Sequence, residues 1–172
     1  MVEVKIKLIH EDAELPYYAT EGSSGGDLFS IDEDFWLSPN EIKMVRTGIK
    51  VAIPYGYEGQ VRPRSGLATK KAITVVNAPG TIDSDYRGEV KVGLINLGEI
   101  GCWVDKHTRI AQLVIAPVVY PKFILVEDLE ETKRGEGGWG STGTGLPKGK
   151  IIKIPVSDPG PIANLRREPW EK

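Results

Sequence analysis

The stretch Asn77-Ala-Pro-Gly-Thr-Ile-Asp-Ser-Asp-Tyr-Arg-Gly-Glu89 places turn-forming residues between two short apolar segments. The segments are Ile73–Val76 and Val90–Asn96, and β-branched residues recur in both. Because Gly and Asp favour turns while β-branched residues favour strands, Gly80–Asp83 is predicted to be a hairpin turn that continues through Asp85–Gly88. The pattern therefore indicates a β-hairpin, and with it a fold rich in short strands.

The rest of the chain carries the same signals. Val2–Leu8 alternates apolar and charged residues with the period of two that is typical of a half-buried strand. Twenty glycines and 12 prolines punctuate the sequence, as a fold with many turns requires. An all-β domain of jelly-roll type is therefore predicted, although composition alone does not separate it from a sandwich or an open barrel. Further strands are predicted at Thr47–Ile53, Ile110–Val119 and Ile151–Val156.

Two segments favour a short helix. Ser65–Lys71 combines a serine at its start with Leu, Ala and Lys, which suits one or two helical turns. Glu127–Arg134 begins with acidic and ends with basic residues, an order that complements the helix dipole. The expected fold class is all-β with one short helix, and these two segments are its candidates.

Composition bounds the class of protein. The 172 residues suffice for one domain with a sizeable core, and 40% hydrophobic with 27% charged residues is ordinary for a soluble globular protein. The formal net charge of −2 argues against a nucleic-acid polymer or an anionic membrane as a partner. An enzyme that acts on a polyanion must therefore concentrate its positive charge locally.

Cysteine, histidine and hydropathy narrow the class further. Cys102 is the only cysteine, which excludes an intrachain disulfide and a cysteine-built metal site. The two histidines, His10 and His107, lack the spacing of a zinc site. The sequence shows neither the roughly 20 consecutive apolar residues of a membrane span nor a signal peptide. A soluble protein of the cytoplasm is the expectation.

The segment Arg134-Gly-Glu-Gly-Gly-Trp-Gly-Ser-Thr-Gly-Thr-Gly145 stands out, with six glycines in 12 residues. Such a segment has high conformational entropy and packs poorly, so a flexible linker to the last 27 residues is the simplest interpretation. A linker, however, needs neither an arginine at its start nor a tryptophan in its middle. A mobile arm that closes over an anionic, aromatic ligand needs both.

Three further clusters are candidates for binding. In Ser23–Leu28 small residues precede Asp27, which suits a tight turn. In Arg62–Leu67 an arginine, a hydroxyl and a glycine precede a possible helix N-terminus, where free N–H groups favour phosphate; the alternative is a helix cap beside a surface arginine. Thr108–Ile115 is predicted to be a mostly buried strand, in which Gln112 is either a satisfied interior amide or an outward-facing residue.

The predicted hairpin is itself a candidate site. Its backbone donors and acceptors can read the edge of a nucleobase. Asp83 and Asp85 admit three interpretations, a catalytic pair, a metal site or plain turn residues. The residue pattern at this point leaves all three open.

Taken in order, these clusters resemble the five motifs of the homotrimeric dUTPase family over roughly Ala19–Gly143. The most specific matches are Gly80-Thr-Ile-Asp-Ser-Asp-Tyr-Arg-Gly88, Arg109-Ile-Ala-Gln-Leu113 and Arg134-Gly-Glu-Gly-Gly-Trp-Gly-Ser-Thr-Gly143. The resemblance implies a jelly-roll-like β-barrel that forms a homotrimer, whose three active sites each draw motifs from more than one chain.

The resemblance also implies a division of the chain and an activity. A β domain is expected over residues 1–133, a mobile glycine-rich arm that closes the active site over 134–143, and a C-terminal extension of unknown role over 144–172. The implied reaction is Mg²⁺-dependent hydrolysis of dUTP to dUMP and pyrophosphate, by in-line attack of water on the α-phosphorus. Such an enzyme limits uracil incorporation into DNA and supplies dUMP for dTMP synthesis.

The same resemblance assigns roles to residues. Asp83 would orient and help deprotonate the attacking water, and Tyr86 would pack under the sugar and leave no room for a 2′-hydroxyl. Uracil would be read by Asn77 and by the backbone of Gly80–Asp83, which would reject thymine and cytosine. Magnesium would be held mainly by the phosphates and water, with Asp27 at most in an outer shell. The implied substrate contacts are Arg64, Ser65, Gly66, Asn77, Gly80, Thr81, Ile82, Asp83, Tyr86, Lys91, Gln112, Arg134, Trp139, Gly140, Ser141 and Thr142.

Three other classes of protein are alternatives to a dUTPase, and each fits the residues less well. A dCTP deaminase shares the fold, but it typically carries Phe where Tyr86 stands and it needs a glutamate base. A catalytically inactive trimer that binds nucleotide for regulation is disfavoured by the intact Asp83. A plain β-sandwich interaction module leaves five ordered motifs unexplained.

Overall fold

The computed structural model describes residues 2–141, 143 and 145, and over these residues it confirms the all-β fold class. The chain divides into two units at residue 122, and the helices and strands of the described residues all lie in the first. In chain order, the elements of the described residues are β1 Lys5–Leu8, β2 Gly26–Phe29, β3 Phe35–Leu37, β4 Ile42–Ala52, β5 Tyr57–Arg62, α1 Ser65–Lys71, β6 Ile73–Val75, β7 Gly80–Ile82, β8 Glu89–Asn96, β9 Cys102–Val104 and β10 Arg109–Pro117.

Two four-stranded sheets and a two-stranded ribbon make up the first unit. The strand orders are β1-β4-β8-β6 and β2-β10-β5-β7, and β3 pairs with β9. Every pairing between named strands is antiparallel. The two open sheets face each other in the manner of a jelly roll, and they do not close into a barrel within the described residues.

A single hydrophobic core joins the two sheets. In β8 the alternate residues Val90, Val92 and Leu94 are buried, as the period of two of a strand requires. Leu28 and Leu113, from the other sheet, belong to the same buried cluster. Burial of each such side chain stabilises the fold by about 1.5–3 kcal/mol relative to exposure. The strand alternation in the sequence thus becomes one shared interior.

Most of the predicted elements are confirmed, with shifted ends. The predicted strands Val2–Leu8 and Ile110–Val119 correspond to β1 and β10. The predicted helix Ser65–Lys71 is α1, bounded as predicted. Its last turn carries Lys70 and Lys71, which complement the dipole at that end. No helix of the described chain is long and apolar enough to span a bilayer.

Three local predictions were wrong. Gly80–Ile82 is not a hairpin turn but strand β7, because β5 is available to pair with it. Asp27 lies within strand β2 rather than in a tight turn. Glu127–Arg134 contains no helix; it is exposed and strongly acidic, so a short helix there has no apolar face to pack.

The predicted strand Ile151–Val156 lies outside the described residues. The predicted domain boundaries at 133 and 143 stay predictions.

Candidate active site

One pocket gathers most of the residues that the resemblance assigns to the sugar and base. It has a volume of about 410 Å³ and lies where β7, the following turn and β8 meet. Five predicted residues line it, and Met44, Glu89 and Val90 complete the wall. We call it the Asp83 pocket; the five predicted residues are Thr81, Ile82, Asp83, Tyr86 and Lys91.

The turn Asp83–Gly88 presents Asp83 and Tyr86 together. The backbone N–H of Tyr86 donates to the carbonyl of Asp83 at 3.1 Å, and its hydroxyl donates to the carbonyl of Glu89 at 3.0 Å. The tyrosine ring lies over Gly88, where a Cβ would be only 2.5 Å from its Cζ atom. Gly88 is therefore required so that the ring can fold back against its own turn.

Strand β7 is the edge strand of its sheet, and this position determines what its backbone can do. On one side Gly80, Thr81 and Ile82 pair with β5. Within the described chain no strand pairs with the other side. Backbone N–H and C=O groups of an edge strand are free to bind an extended or planar partner. The side chain of Asn77 lies beside this strand, since a Cβ on Gly80 would be 3.1 Å from its Nδ2 atom.

A second pocket gathers the predicted phosphate contacts. It has a volume of about 230 Å³ and is lined by Ala19 and the Ser23–Gly25 loop as well as by predicted residues. We call it the Arg64 pocket. Five predicted residues line it: Asp27, Arg64, Ser65, Gly66 and Gln112.

Ion pairs orient the arginine of this second pocket. The buried Asp27 carboxylate pairs with two arginines: its Oδ1 lies 2.9 Å from Arg64 Nε, and its Oδ2 accepts from Arg109 Nη1 at 3.1 Å. Arg64 Nη1 also donates to the carbonyl of Arg109 at 3.1 Å. These contacts engage two nitrogens of the Arg64 guanidinium and hold its plane fixed. Arg109 contacts both Asp27 and Arg64 in this pocket. The sequence analysis gave it no role, although it is the first residue of the matched motif Arg109–Leu113.

The remaining predicted residues of the Arg64 pocket are also held by the backbone. Gln112 Nε2 donates to the carbonyl of Pro63 at 2.9 Å, which fixes the amide at the end of β5. Ser65 and Gly66 open α1, so their backbone N–H groups have no acceptor within the helix. Nothing stands within 4 Å of a Cβ built on Gly66, which leaves its backbone open to a ligand.

No group of three or more His, Cys, Asp or Glu side chains that could hold a metal ion occurs in the described part of the chain. Both carboxylate oxygens of Asp27, the predicted outer-shell residue, contact arginines. The donors present therefore fit a magnesium ion that arrives with a polyphosphate and keeps its waters, and do not fit a carboxylate cage.

The glycine-rich arm, predicted over residues 134–143, belongs to the second unit. Trp139 is fully exposed and has a positive φ of 49°, and Gly140 follows with a φ of 89°. Arg134 Nε donates to the carbonyl of Gly137 at 2.6 Å, and the Ser141 backbone N–H donates to the carbonyl of Gly138 at 2.9 Å. Thr142, another predicted contact, lies outside the described residues.

The two pockets share no lining residue. A carboxylate, a tyrosine and a free strand edge meet in the Asp83 pocket, whereas arginine and the start of a helix meet in the Arg64 pocket. The structure thus brings ten predicted site residues of the first unit into two pockets with different linings, while Asn77 and Gly80 line neither pocket.

Comparison with known proteins identifies the class to which this geometry belongs. A model of the dUTPase family matches residues 11–143. The deoxyuridine 5′-triphosphate nucleotidohydrolase of Hydrogenobaculum sp. (strain Y04AAS1) is 51% identical over 142 residues, which cover 83% of this chain and 99% of that protein. These matches agree on one class of protein, the all-β nucleotide hydrolases.

Solved structures lead to the same class. A mutant of the Staphylococcus bacteriophage 80alpha dUTPase, solved with dUpNHpp, superposes with a TM-score of 0.76 at 29% identity, over 83% of this chain and 99% of that one. A mutant dUTPase of S. aureus phage phi11, which coordinates a structural Mg(II) ion, gives a TM-score of 0.68 at 25% identity, over 75% of this chain and 99% of that one. Within the class, this chain belongs to the dUTPase family.

Proposed function

We propose that this chain, a dUTP hydrolase of the dUTPase family, converts the magnesium complex of dUTP to dUMP and pyrophosphate at active sites shared between the chains of a homotrimer. The observation that carries the proposal is that the Asp83 and Arg64 pockets of one chain are lined by different residues. One nucleotide needs a base site, a nucleophile and a phosphate site together. A neighbouring chain that supplies the missing half would complete each site.

The base site follows from the free edge of β7. Uracil presents alternating acceptors and donors, which the unpaired backbone groups of Gly80–Ile82 and the Asn77 amide complement. A 5-methyl group would clash with a closely fitting strand, and a 4-amino group would place a donor where the strand offers one. Shape and hydrogen bonding together thus favour uracil over thymine and cytosine.

The sugar is proposed to lie on Tyr86. The ring is fixed by its hydrogen bond to the Glu89 carbonyl and by its contact with Gly88. A deoxyribose packed on that ring has no space for a 2′-hydroxyl, while Asp83 at the start of the turn binds the 3′-hydroxyl. Lys91, on the outgoing strand β8, lines the same pocket and approaches the nucleotide from that side.

Phosphate binding is proposed to use the Arg64 pocket. Arg64 supplies a fixed guanidinium, Ser65 and Gly66 supply backbone N–H groups, and the Gln112 amide closes the pocket. Asp27 acts through the arginines, because both of its oxygens contact guanidinium groups. Magnesium bound with the substrate would neutralise part of the phosphate charge that Arg64 and the helix start also contact.

The chemical step is proposed to be in-line attack of water on the α-phosphorus. Asp83 orients the water and accepts its proton as the O–P bond forms, and pyrophosphate leaves from the opposite side. Arg64 and the helix start stabilise the charge that builds on the phosphate oxygens. Because phosphoryl transfer needs positioning and charge neutralisation above all, one carboxylate and a preorganised cationic pocket suffice.

The arm is proposed to close over the bound nucleotide. The Trp139 indole would stack on uracil, with Gly140 as its pivot, while Arg134 and the Ser141 and Thr142 hydroxyls bind phosphate. Stacking of a base on an aromatic side chain contributes about 1–3 kcal/mol, which is offset in part by ordering the glycines. The full exposure of the Trp139 indole supports this proposal, because the ring is free to stack on a bound base.

Assembly as a homotrimer is supported by the second unit taken by itself. Four consecutive apolar residues, Phe123–Val126, are exposed there, with Leu125 at 99% exposure. An exposed apolar run of this kind is typical of a segment that is covered by another chain. We place the enzyme in the cytoplasm, where it would limit uracil in DNA and supply dUMP for dTMP synthesis, with no nucleic-acid polymer or membrane as a partner.

Pyrophosphate release from dUTP, dCTP, dTTP and UTP, measured separately with magnesium, tests the proposal. We expect release from dUTP to exceed release from dCTP by at least about 100-fold, because a site built to hydrogen-bond its substrate rejects a mismatched base strongly. Release from dTTP and UTP should be lower than from dUTP by roughly 10- to 200-fold, the range of a steric misfit of methylene size. Deamination of dCTP would contradict the proposed reaction. A monomer in solution, measured by light scattering at working concentration, would contradict the shared site.

A further inference from the structure

One of the residues that line the Asp83 pocket is a nearly buried glutamate, Glu89. The side chain of Glu89 is 12% exposed and lines the pocket. Its two oxygens accept from Arg46 Nε at 3.2 and 3.3 Å, and Oε1 also accepts from the Gly48 backbone N–H at 3.0 Å. A carboxylate buried to this degree is costly unless donors surround it, and here they do.

The donors come from an irregularity in the neighbouring strand. The register of β4 against β8 shifts between Arg46, which faces Lys91, and Lys50, which faces Glu89. Gly48 lies inside this bulge with a positive φ of 67°. Bulge residues lose their ladder partners, and the Glu89 carboxylate replaces the lost acceptor for Gly48.

The same residue carries the only hydrogen bond that the described structure gives to the Tyr86 hydroxyl. That hydroxyl donates to the backbone carbonyl of Glu89 at 3.0 Å. Glu89 is the first residue of β8 and pairs with Lys50 of β4. Its carboxylate contacts Arg46 and Gly48 of the same strand, so β4 holds both the backbone and the side chain of Glu89. A chain of contacts therefore runs from Arg46 through Glu89 to the tyrosine ring.

We infer that Glu89, held by Arg46, is a positioning residue for Tyr86 and sets the selectivity for deoxyribose over ribose. The inference rests on the proposed function and deepens it. Steric rejection of a 2′-hydroxyl requires that the ring is held in place, since a displacement of about 1 Å already relaxes a close fit. The carbonyl that anchors the ring is fixed in space because the Glu89 carboxylate is fixed.

The decisive measurement is the ratio of kcat/KM for dUTP to kcat/KM for UTP in Glu89→Gln and in Arg46→Ala. In Glu89→Gln the new amide keeps one acceptor but turns a donor toward Arg46 or Gly48. We expect each variant to lower the ratio about 3- to 10-fold, mainly through faster turnover of UTP. This is less than the roughly 10- to 200-fold that a methylene-sized fit contributes, because the ring remains present.

Two controls separate positioning from general destabilisation. Lys106→Gln removes ion pairs to Asp12 and Glu33 that also tie separate loops together, and we expect it to leave the ratio unchanged. Tyr86→Ala removes the ring, and we expect Glu89→Gln to have no further effect on the ratio in that background. Thermal unfolding followed by circular dichroism verifies that each variant is folded.

The possible results distinguish this inference from the function on which it rests. A wild-type enzyme without preference for dUTP over UTP overturns both. If the wild type prefers dUTP and Tyr86→Ala lowers the ratio, an unchanged ratio in Arg46→Ala and in any folded Glu89→Gln overturns the positioning role alone. Should Glu89→Gln fail to fold, Arg46→Ala decides, because that side chain is 43% exposed and its loss leaves the Gly48 contact in place.

Discussion

The two pockets of the first unit are organised by different forces. In the Arg64 pocket a buried carboxylate, Asp27, lies between two arginines and fixes the cationic surface. In the Asp83 pocket the Asp83 carboxylate is exposed and makes no ion pair within the described chain, and the walls come from a strand edge and a turn. A neutralised carboxylate orients charge for an anion, whereas an unpaired one is available to accept a proton. The difference is the reason why we propose phosphate binding for one pocket and the chemical step for the other.

The largest effect is expected from removal of the unpaired carboxylate. Asp83→Asn keeps the shape of the side chain and one acceptor, but the amide cannot take a proton from water. Single-turnover rates should fall by about 10²–10⁴-fold, the usual contribution of a positioned general base, while affinity for dUTP changes little. Asp85→Asn is the matched control, because Asp85 lies in the same turn without lining the Asp83 pocket. Turnover of Asp83→Asn within about threefold of wild type would contradict the assignment.

Mixed trimers test whether the two pockets cooperate across chains. Asp83→Asn and Arg64→Ala chains are each expected to be nearly inactive alone. In an equal mixture, about a quarter of shared sites would pair an intact Asp83 with an intact Arg64 from its neighbour, since each neighbour is of the required type half the time. Recovered activity near that fraction is the expected result. Co-refolding followed by native mass spectrometry verifies mixing, and no recovery in verified mixed trimers would show that each site lies within one chain.

The shape of the Asp83 pocket depends on Gly88. In Gly88→Ala the new Cβ would overlap the Tyr86 ring, which must rotate away. We expect the kcat/KM ratio for dUTP over UTP to fall roughly 10-fold, within the range for a steric misfit of methylene size. In a Tyr86→Ala background the same change meets no ring and should leave the ratio as it is. An equal effect in both backgrounds would mean that Gly88 acts on the backbone and not on the ring.

The arm offers a spectroscopic test of closure on the Arg64 pocket. A non-hydrolysable dUTP analogue with magnesium should change indole fluorescence, and dUMP should change it much less, because closure needs the outer phosphates. Trp36, Trp103 and Trp170 contribute background, so Trp139→Phe is the control. A signal that survives this substitution would place the reporter elsewhere. Equal responses to both ligands would favour the linker interpretation of residues 134–145.

The smallest effect is expected at an ion pair outside both pockets. A hydrogen bond from Lys106 lowers the pKa of Asp12 below its ordinary value of 3.8. A carboxyl whose pKa is lower in the folded than in the unfolded chain contributes stability above the unfolded pKa, and this is lost as the pH falls through the folded pKa. The unfolding temperature should therefore drop more steeply below about pH 4 in the wild type than in Asp12→Asn. If the unfolding temperature falls equally steeply with pH in the wild type and in Asp12→Asn, the Asp12–Lys106 pair does not contribute to stability in this way.

Sequence reasoning succeeded where local chemistry decides the outcome. Ser65–Lys71 became α1 with the predicted ends, because helix propensity and a C-terminal pair of lysines are local properties. The motifs name five of the residues that line each pocket, because they require particular functional groups, but they do not name Met44, Glu89 or Val90. Gly80–Ile82 was misassigned because its strand conformation depends on β5, which lies about 20 residues earlier in the chain.

The sequence by itself determined the all-β class and the position of the short helix, since alternation and propensity are written residue by residue. Only the tertiary structure decided that Asp27 is neutralised by Arg64 and Arg109, that β7 is an edge strand and that Glu89 fills a bulge of β4. Each of these depends on contacts between residues far apart in the chain. Such contacts arise from strand pairing and burial, which no short stretch of sequence specifies.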